Sequence, residues 1–165
     1  MTVNHEGGCL CNTLRYRTTA PPTRVTICHC RFCQRATGGD AMIEPIFRKE
    51  DVELLAGTPA VYPHRSSGSG KMVYVNFCPQ CGTKLWLAFE RFPDVLGLYA
   101  GTFDEPDWFE IGPANAKHIY LDAARADSII PAGLPTFREH AMANDGTACE
   151  ATVYDSPHVI GSERR

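Results

Sequence analysis

Residues 72–89, MVYVNFCPQCGTKLWLAF, place a pair of cysteines between two apolar segments. Apolar side chains dominate both arms of this stretch, which predicts two strands joined as a hairpin. Between the arms lies Cys78-Pro79-Gln80-Cys81-Gly82-Thr83, a sequence typical of a zinc knuckle. Pro79 favours the start of a turn, and Gly82 permits the positive φ that lets backbone N–H groups point at sulfur. The hairpin tip is therefore predicted to present two thiols to a metal ion.

Two further cysteine clusters precede this hairpin. They are Cys9-Leu10-Cys11 and Cys28-His29-Cys30-Arg31-Phe32-Cys33. Thiols this close in sequence are badly placed for disulfides with one another, because a disulfide needs Cα atoms roughly 4.4–6.8 Å apart and facing Cβ atoms. They can, however, converge on one tetrahedral ion. We therefore interpret the chain first as a zinc protein.

The number of clustered thiols indicates two metal sites. A closed structural zinc site takes four protein ligands, whereas a catalytic site takes three and keeps one position for water or substrate. Seven of the eight cysteines are clustered, and they divide naturally into four from the two pairs, Cys9/Cys11 and Cys78/Cys81, and three from the triplet, Cys28/Cys30/Cys33. The sequence leaves the partners of each cluster open, so other divisions and a redox-active or simply reduced triplet remain alternatives. Cys149 stands alone and is predicted to be a free thiol.

Composition bounds the class of protein. The 165 residues are enough for one domain with a sizeable core. The formal charge of −3 and the pI of about 6.0 argue against a nucleic-acid partner, which usually requires a basic face. No apolar run approaches the roughly 18–20 residues of a membrane span, and residues 1–8 lack the pattern of a secretory signal. We therefore expect a cytoplasmic protein, in which thiols stay reduced and clustered cysteines indicate metal binding or catalysis.

Short strands outnumber helices in the sequence pattern. Strands are predicted at 13–18, 24–27, 42–47, 52–55, 72–77, 84–89, 95–101 and 118–121. One or two helical turns are predicted within 31–39, a short turn at 48–52 and a flexible loop at 66–71. The expected fold class is mainly β, with a zinc domain at residues 1–140 and a polar tail or strap at 141–165. The side chains of Trp86, Trp108 and Phe109 are expected in the core.

The ordered clusters resemble those of a known family. The motifs are Gly7-Gly8-Cys9-x-Cys11, Cys28-His29-Cys30-x-x-Cys33, Cys78-x-x-Cys81-Gly82-Thr83 and Gly133-Leu134-Pro135-x-Phe137. Together they are similar to the glutathione-dependent formaldehyde-activating enzyme/centromere protein V family, over roughly residues 4–138. The resemblance implies a β-tent (Mss-like) zinc-binding fold of short antiparallel strands with few short helices.

The same resemblance implies the roles of the two sites and the reaction. It implies a structural zinc on Cys9, Cys11, Cys78 and Cys81 and a catalytic zinc on Cys28, Cys30 and Cys33, hence two Zn²⁺ per chain. It also implies carbon–sulfur lyase activity on a thiol–aldehyde adduct, such as the adduct of glutathione and formaldehyde. Three thiolates and Zn²⁺ carry a net charge of −1, and an open position there suits a thiol that binds as thiolate.

Other residues near the triplet are candidates for substrate contacts. Glutathione carries two carboxylates, and Arg31 and Arg35 flank the triplet, while Arg65 and Lys71 border the flexible loop. His29 and His118 can carry protons near neutral pH. A non-catalytic zinc module that binds another protein, and a redox or metal-handling thiol protein, are the alternatives to a lyase. The fourth coordination position at the triplet discriminates between them.

Overall fold

The computed structural model describes residues 4–161. These residues form two compact units, one of residues 4–24 and 44–110 and the other of residues 25–43 and 111–161. Across the described span the chain has fourteen strands, one α-helix and three 3₁₀ helices, which confirms the mainly β class with few short helices. No helix within residues 4–161 has the length and apolar content to cross a membrane. The first three residues of the predicted zinc domain and the last four of the predicted tail lie outside the described residues.

A three-stranded antiparallel sheet begins the first unit. Its strands are β1 (His5–Gly8), β2 (Arg15–Thr18) and β5 (Val52–Ala56), in the order β1-β2-β5. Gly7 of β1 lies opposite Tyr16 of β2, whose ring is fully buried. Because β1 ends at Gly8, this sheet leads the chain directly into the first cysteine pair.

The other sheet strands of the first unit include the hairpin predicted from residues 72–89. They are β4 (Met42–Arg48, in this unit from Glu44 on), β6 (Ala60–Arg65), β7 (Met72–Phe77), β8 (Lys84–Phe89) and β9 (Val95–Leu98), in the antiparallel order β4-β9-β8-β7-β6. Strands β7 and β8 pair as predicted, with an irregularity in register between Asn76 and Phe77. The hairpin therefore carries Cys78 and Cys81 at its tip.

Apolar side chains from both sheets form the core of this unit. The buried members are Cys9, Leu14, Tyr16, Phe47, Cys78, Leu85, Leu96, Leu98 and Phe103. Trp86, Trp108 and Phe109 pack against them as partly buried side chains, as the sequence predicts. Cys9 and Cys78, one from each cysteine pair, are thus part of the core itself, so a metal ion held by these pairs would be coupled to core packing.

The second unit is built on four strands and a separate two-stranded ribbon. The four strands are β3 (Arg24–Cys28, in this unit from Val25 on), β10 (Ala116–Ile119), β12 (Pro135–Thr136) and β13 (Thr152–Val153), in the order β13-β12-β10-β3. The ribbon pairs β11 (Ile129–Ile130) with β14 (His158–Val159). The expectation of antiparallel strands fails for β10, which runs parallel to both β3 and β12. Parallel pairing needs a long connection, and residues 29–115 supply one between β3 and β10.

Three predicted strands have a boundary that shifts by two residues or more in the structure. The strand predicted at 118–121 ends at Ile119, because Tyr120 adopts a left-handed conformation (φ 61°) and a 3₁₀ helix, Leu121–Ala123, follows. The strand predicted at 95–101 ends at Leu98 and gives way to the 3₁₀ helix Ala100–Thr102. The strand predicted at 13–18 begins at Arg15. In each case the chain turns although the pattern of apolar and polar side chains still predicts a strand.

Part of the predicted tail is packed. Strand β13 pairs with β12, and Ile160 is buried against Leu121 and Ile130. This segment matches the expectation of a strap more closely than that of a free tail. The division into residues 1–140 and 141–165 stays a prediction.

Candidate metal centres

Four sulfur atoms of the first unit converge at the hairpin tip. The Sγ atoms of Cys9, Cys11, Cys78 and Cys81 all lie within 4.8 Å of one another. The Cys9–Cys11 and Cys11–Cys78 Sγ separations are 3.5 Å and 3.6 Å. Tetrahedral zinc with bonds of about 2.3 Å would separate its sulfurs by about 3.8 Å. The cluster therefore fits zinc closely.

Polar groups surround this cluster and orient its sulfurs. The backbone N–H of Leu14 donates to Cys9 Sγ at 3.2 Å. Thr83 Oγ1 lies 3.2 Å from Cys81 Sγ and accepts from the backbone N–H of Leu10. Outer partners of this kind fix the direction of the metal-binding atoms. The hydroxyl and the backbone N–H of Thr83 lower the pKa of Cys81 to about 5, so this thiol readily supplies a thiolate.

The triplet lies where a strand of the second unit meets its helix. Cys28 ends β3, and Cys30 caps α1 (Arg31–Thr37), with its sulfur accepting from the backbone N–H of Cys33 at 3.4 Å. The helix closes at Gly38, whose positive φ of 73° is the conformation that glycine favours at a helix end. The three sulfurs lie within 4.8 Å of one another. Cys28 and Cys33 are buried and Cys30 is half-buried, so the site is reached past Cys30.

No fourth ligand atom joins the triplet within residues 4–161. No other histidine, cysteine or carboxylate of the described chain has a ligand atom within 4.8 Å of all three sulfurs. By contrast, the hairpin-tip site gathers four sulfurs. The structure thus bears out the grouping of four thiols and three thiols, and three protein ligands with one remaining position is the arrangement of catalytic zinc.

The three thiols of the triplet differ widely in pKa. Hydrogen bonds from the thiols of Cys28 and Cys33 lower the pKa of Cys30 to about 3. The pKa of Cys28 is raised well above its usual value by its hydrogen bond to Cys30, and the pKa of Cys33 is raised by its bonds to Cys28 and Cys30. One thiolate therefore forms easily, and the next two are opposed by its charge. A divalent cation would remove that opposition, so the donor set fits zinc here as well.

Two buried histidines lie beside the triplet. His29 Nε2 and His118 Nδ1 are 2.9 Å apart, and the side chains are only 4% and 5% exposed. Burial lowers the pKa of both rings, that of His118 to about 4 with a further contribution from His29. Both rings are therefore neutral at pH 7. His29 Nδ1 is buried and has no hydrogen-bond partner among the described residues.

The cationic candidates of the triplet are both exposed. Arg31 and Arg35 stand one helical turn apart on α1, the helix that carries Cys33. The guanidinium of Arg31 donates to the side chain of Gln34. Neither arginine forms an ion pair with any residue in the described part of the chain. Arg65 instead donates to the carbonyl of Gly70, and Lys71 pairs with Glu90 at 3.4 Å.

A family comparison agrees with this geometry. The family model of the glutathione-dependent formaldehyde-activating enzyme matches residues 4–123. The chain belongs to this family. The match includes all seven clustered cysteines, and the family's name describes an enzyme that acts with glutathione and formaldehyde. Residues 124–161, which include strands β11 to β14, lie beyond the match.

Relatives of this family member were found among curated proteins and solved structures. One is a Halomonas elongata protein named "Putative glutathione-dependent formaldehyde-activating enzyme", which is 25% identical over 125 residues, 64% of this chain and 80% of that protein. A crystal structure of a Rhodobacter sphaeroides protein aligns with a TM-score of 0.46 and 18% identity, covering 60% of this chain and 87% of that one.

Sequence reasoning found the sulfurs of this family member and missed two side-chain interactions around them. The contact of His29 with His118 links residues far apart in sequence, and only the parallel pairing of β10 with β3 brings them together. Gln34 was also missed, although its position next to Cys33 placed it on the buried side of a short helix. A buried amide beside a ligand is a recognisable signal once the helix register is known.

Proposed function

We propose that this family member is a zinc-dependent carbon–sulfur lyase. The substrates would be a small thiol and a small aldehyde, with glutathione and formaldehyde as the pair that the family's name favours. In the forward direction sulfur attacks the carbonyl carbon, a C–S bond forms, and the thiol proton passes to the carbonyl oxygen, giving S-hydroxymethylglutathione. The reverse reaction breaks the same bond. The single observation that carries this proposal is the triplet of sulfurs without a fourth protein ligand in the described chain.

The proposal assigns the seven clustered cysteines to two zinc ions. Cys9, Cys11, Cys78 and Cys81 would hold a structural ion, because two of these sulfurs are buried in the core of the first unit. Cys28, Cys30 and Cys33 would hold the catalytic ion. Zinc at this second site would supply a Lewis-acid position at which a thiol binds as its thiolate. Clustered reduced thiols also support a cytoplasmic location.

The remaining residues of the site would bind and orient the substrate. Arg31 and Arg35 are exposed guanidinium groups without acidic partners in the described chain, so they are suited to the carboxylates of glutathione. His29 lies between Cys28 and Cys30 in the sequence and is hydrogen-bonded to His118, so His118 would act through the ring of His29 rather than by touching the substrate. The neutral state of both rings leaves the thiol proton to water or to the neutral imidazole of His29.

Exchange spectroscopy tests the proposed reaction. The adduct forms without an enzyme, so the measurement must be a rate at equilibrium: NMR exchange between free glutathione and its hydroxymethyl adduct, with and without protein. We expect acceleration by the wild type and by Cys149→Ser, which changes an exposed cysteine that belongs to neither cluster. We expect none by Cys30→Ser. Equal rates for the wild type and Cys30→Ser would exclude this substrate pair. If no thiol binds at the triplet metal, the family member would be a non-catalytic zinc module instead.

A further inference from the structure

Gln34 connects three parts of the triplet site. It follows Cys33 on α1 and is only 9% exposed. Its Nε2 donates to the carbonyl oxygen of His29 at 2.6 Å and to that of Ala123 at 2.8 Å. Its Oε1 accepts from the guanidinium of Arg31. One side-chain amide thus uses both its donors and its acceptor.

These partners fix which way the amide points. Two carbonyl oxygens need the NH₂ end of the amide, and a guanidinium needs the oxygen end, so the flipped orientation would lose every bond. The carbonyl of His29 belongs to the loop between Cys28 and Cys30. Ala123 ends the 3₁₀ helix that follows β10. The amide therefore joins the cysteine loop to the end of this 3₁₀ helix and leaves only its oxygen for Arg31.

Arg31 is held by this oxygen and by no carboxylate within the described residues. A guanidinium has five N–H donors in a planar fork. Nη1 of Arg31 donates to the neutral amide oxygen of Gln34, so this bond leaves the positive charge of the guanidinium uncompensated. The other N–H donors of the guanidinium remain available to an incoming carboxylate. Arg31 directly follows Cys30, so these donors belong to a residue next to the triplet. An exposed arginine without such a bond would sample many rotamers and hold a carboxylate less well.

We propose that Gln34 is a positioning residue that makes the triplet site selective for thiols bearing a carboxylate. It acts through Arg31, whose guanidinium it orients toward the space beside Cys30. The inference rests on the proposed function, since it supposes that a thiol binds at the triplet metal. It deepens that function by stating what distinguishes a good thiol from a poor one.

The test compares two thiols that differ in their carboxylates. Isothermal titration calorimetry of the zinc-loaded protein measures the Kd of glutathione and of glutathione diethyl ester. We expect Gln34→Met to weaken glutathione about fivefold, which corresponds to ~1 kcal/mol, and to leave the diethyl ester unchanged. Arg31→Gln is expected to have the same effect. Arg138→Gln, which removes an exposed cation paired with Asp122, is the control and should change neither Kd.

The outcomes separate this inference from the proposed function. Equal weakening of both thiols by Gln34→Met would show that the amide only maintains the fold, and would overturn the inference while the function stands. If Gln34→Met does not fold, Arg31→Gln decides alone: an unchanged ratio of the two Kd values overturns the inference, and a lost preference for glutathione supports it. If neither thiol binds to the wild type, the proposed function fails and the inference fails with it.

Discussion

Replacing Gly7 with alanine tests how the first sheet delivers Cys9 to its site. A Cβ on Gly7 would collide with Tyr16 Oη and would lie 2.5 Å from both Tyr16 Cζ and the carbonyl oxygen of Thr102. Such contacts are shorter than Cβ atoms make in proteins, and one of them is to backbone. Tyr16 cannot easily move, because its ring is fully buried and its hydroxyl lies 2.8 Å from Thr102 Oγ1. Strand β1 must therefore shift, two residues before Cys9.

The cost follows from overpacking. Extra atoms in a packed core typically cost about 1–3 kcal/mol, while alanine recovers roughly 0.4–1 kcal/mol by restricting the unfolded chain. We expect a net loss of about 1–2 kcal/mol for Gly7→Ala, or a fall in Tm of roughly 2–8 °C. Gly101→Ala is the matched control, because a Cβ there meets no atom within 4 Å and its φ is not positive.

Chemical denaturation of the zinc-loaded proteins, with Tm as a second readout, measures the difference. A chelator competition should also show that Gly7→Ala loses one metal ion earlier than Gly101→Ala. Equal stability of the two variants would refute the argument that the close approach of Tyr16 leaves no room for a side chain at residue 7.

Two more predictions follow from the cysteines and the buried histidines. Cys78→Ser should leave the protein unfolded or insoluble, because structural zinc contributes on the order of 10 kcal/mol to folding. Cys30→Ser should keep a Tm close to that of the wild type. Equal Tm losses of the two variants in thermal unfolding would contradict the division into a structural and a catalytic site. The pKa of His118 is about 4 in the folded protein and near 6.5 in the unfolded chain. The unfolded chain therefore binds the proton at a higher pH, and the free energy of unfolding decreases as the pH falls from about 6.5 toward 4. Urea unfolding across this range should show up to ~3 kcal/mol more loss for the wild type than for His118→Asn, and parallel curves would contradict the buried neutral pair.

The convergence of the cysteine clusters was the most predictable feature of this structure. Spacings of one or two residues restrict the sulfurs to one small region whatever the rest of the chain does, so the hairpin tip and the triplet follow from local sequence. The hairpin of β7 and β8 was predictable for a similar reason, because apolar strands flank a knuckle that must turn. These features need no knowledge of distant contacts.

Features that depend on distant contacts were not predictable. Strand β6 contains Pro63 and mostly exposed side chains, so it lacks the alternation that marks a strand, and it forms because β7 lies beside it. Tyr120 turns the chain in a left-handed conformation that bulky residues rarely adopt, and nothing in its identity indicates a turn. Parallel pairing of β10 likewise depends on how the intervening chain folds. Gln34 acquires its partners only once these elements are in place.

Cadmium-113 NMR tests the central claim, that the chain has one closed four-thiolate site and one open three-thiolate site. The protein would be loaded with two equivalents of cadmium and titrated with glutathione, and Cys30→Ser would assign the resonance of the triplet. We predict two resonances in the wild type, of which only the triplet resonance moves when glutathione is added. A single resonance, or two that both ignore glutathione, would contradict the account.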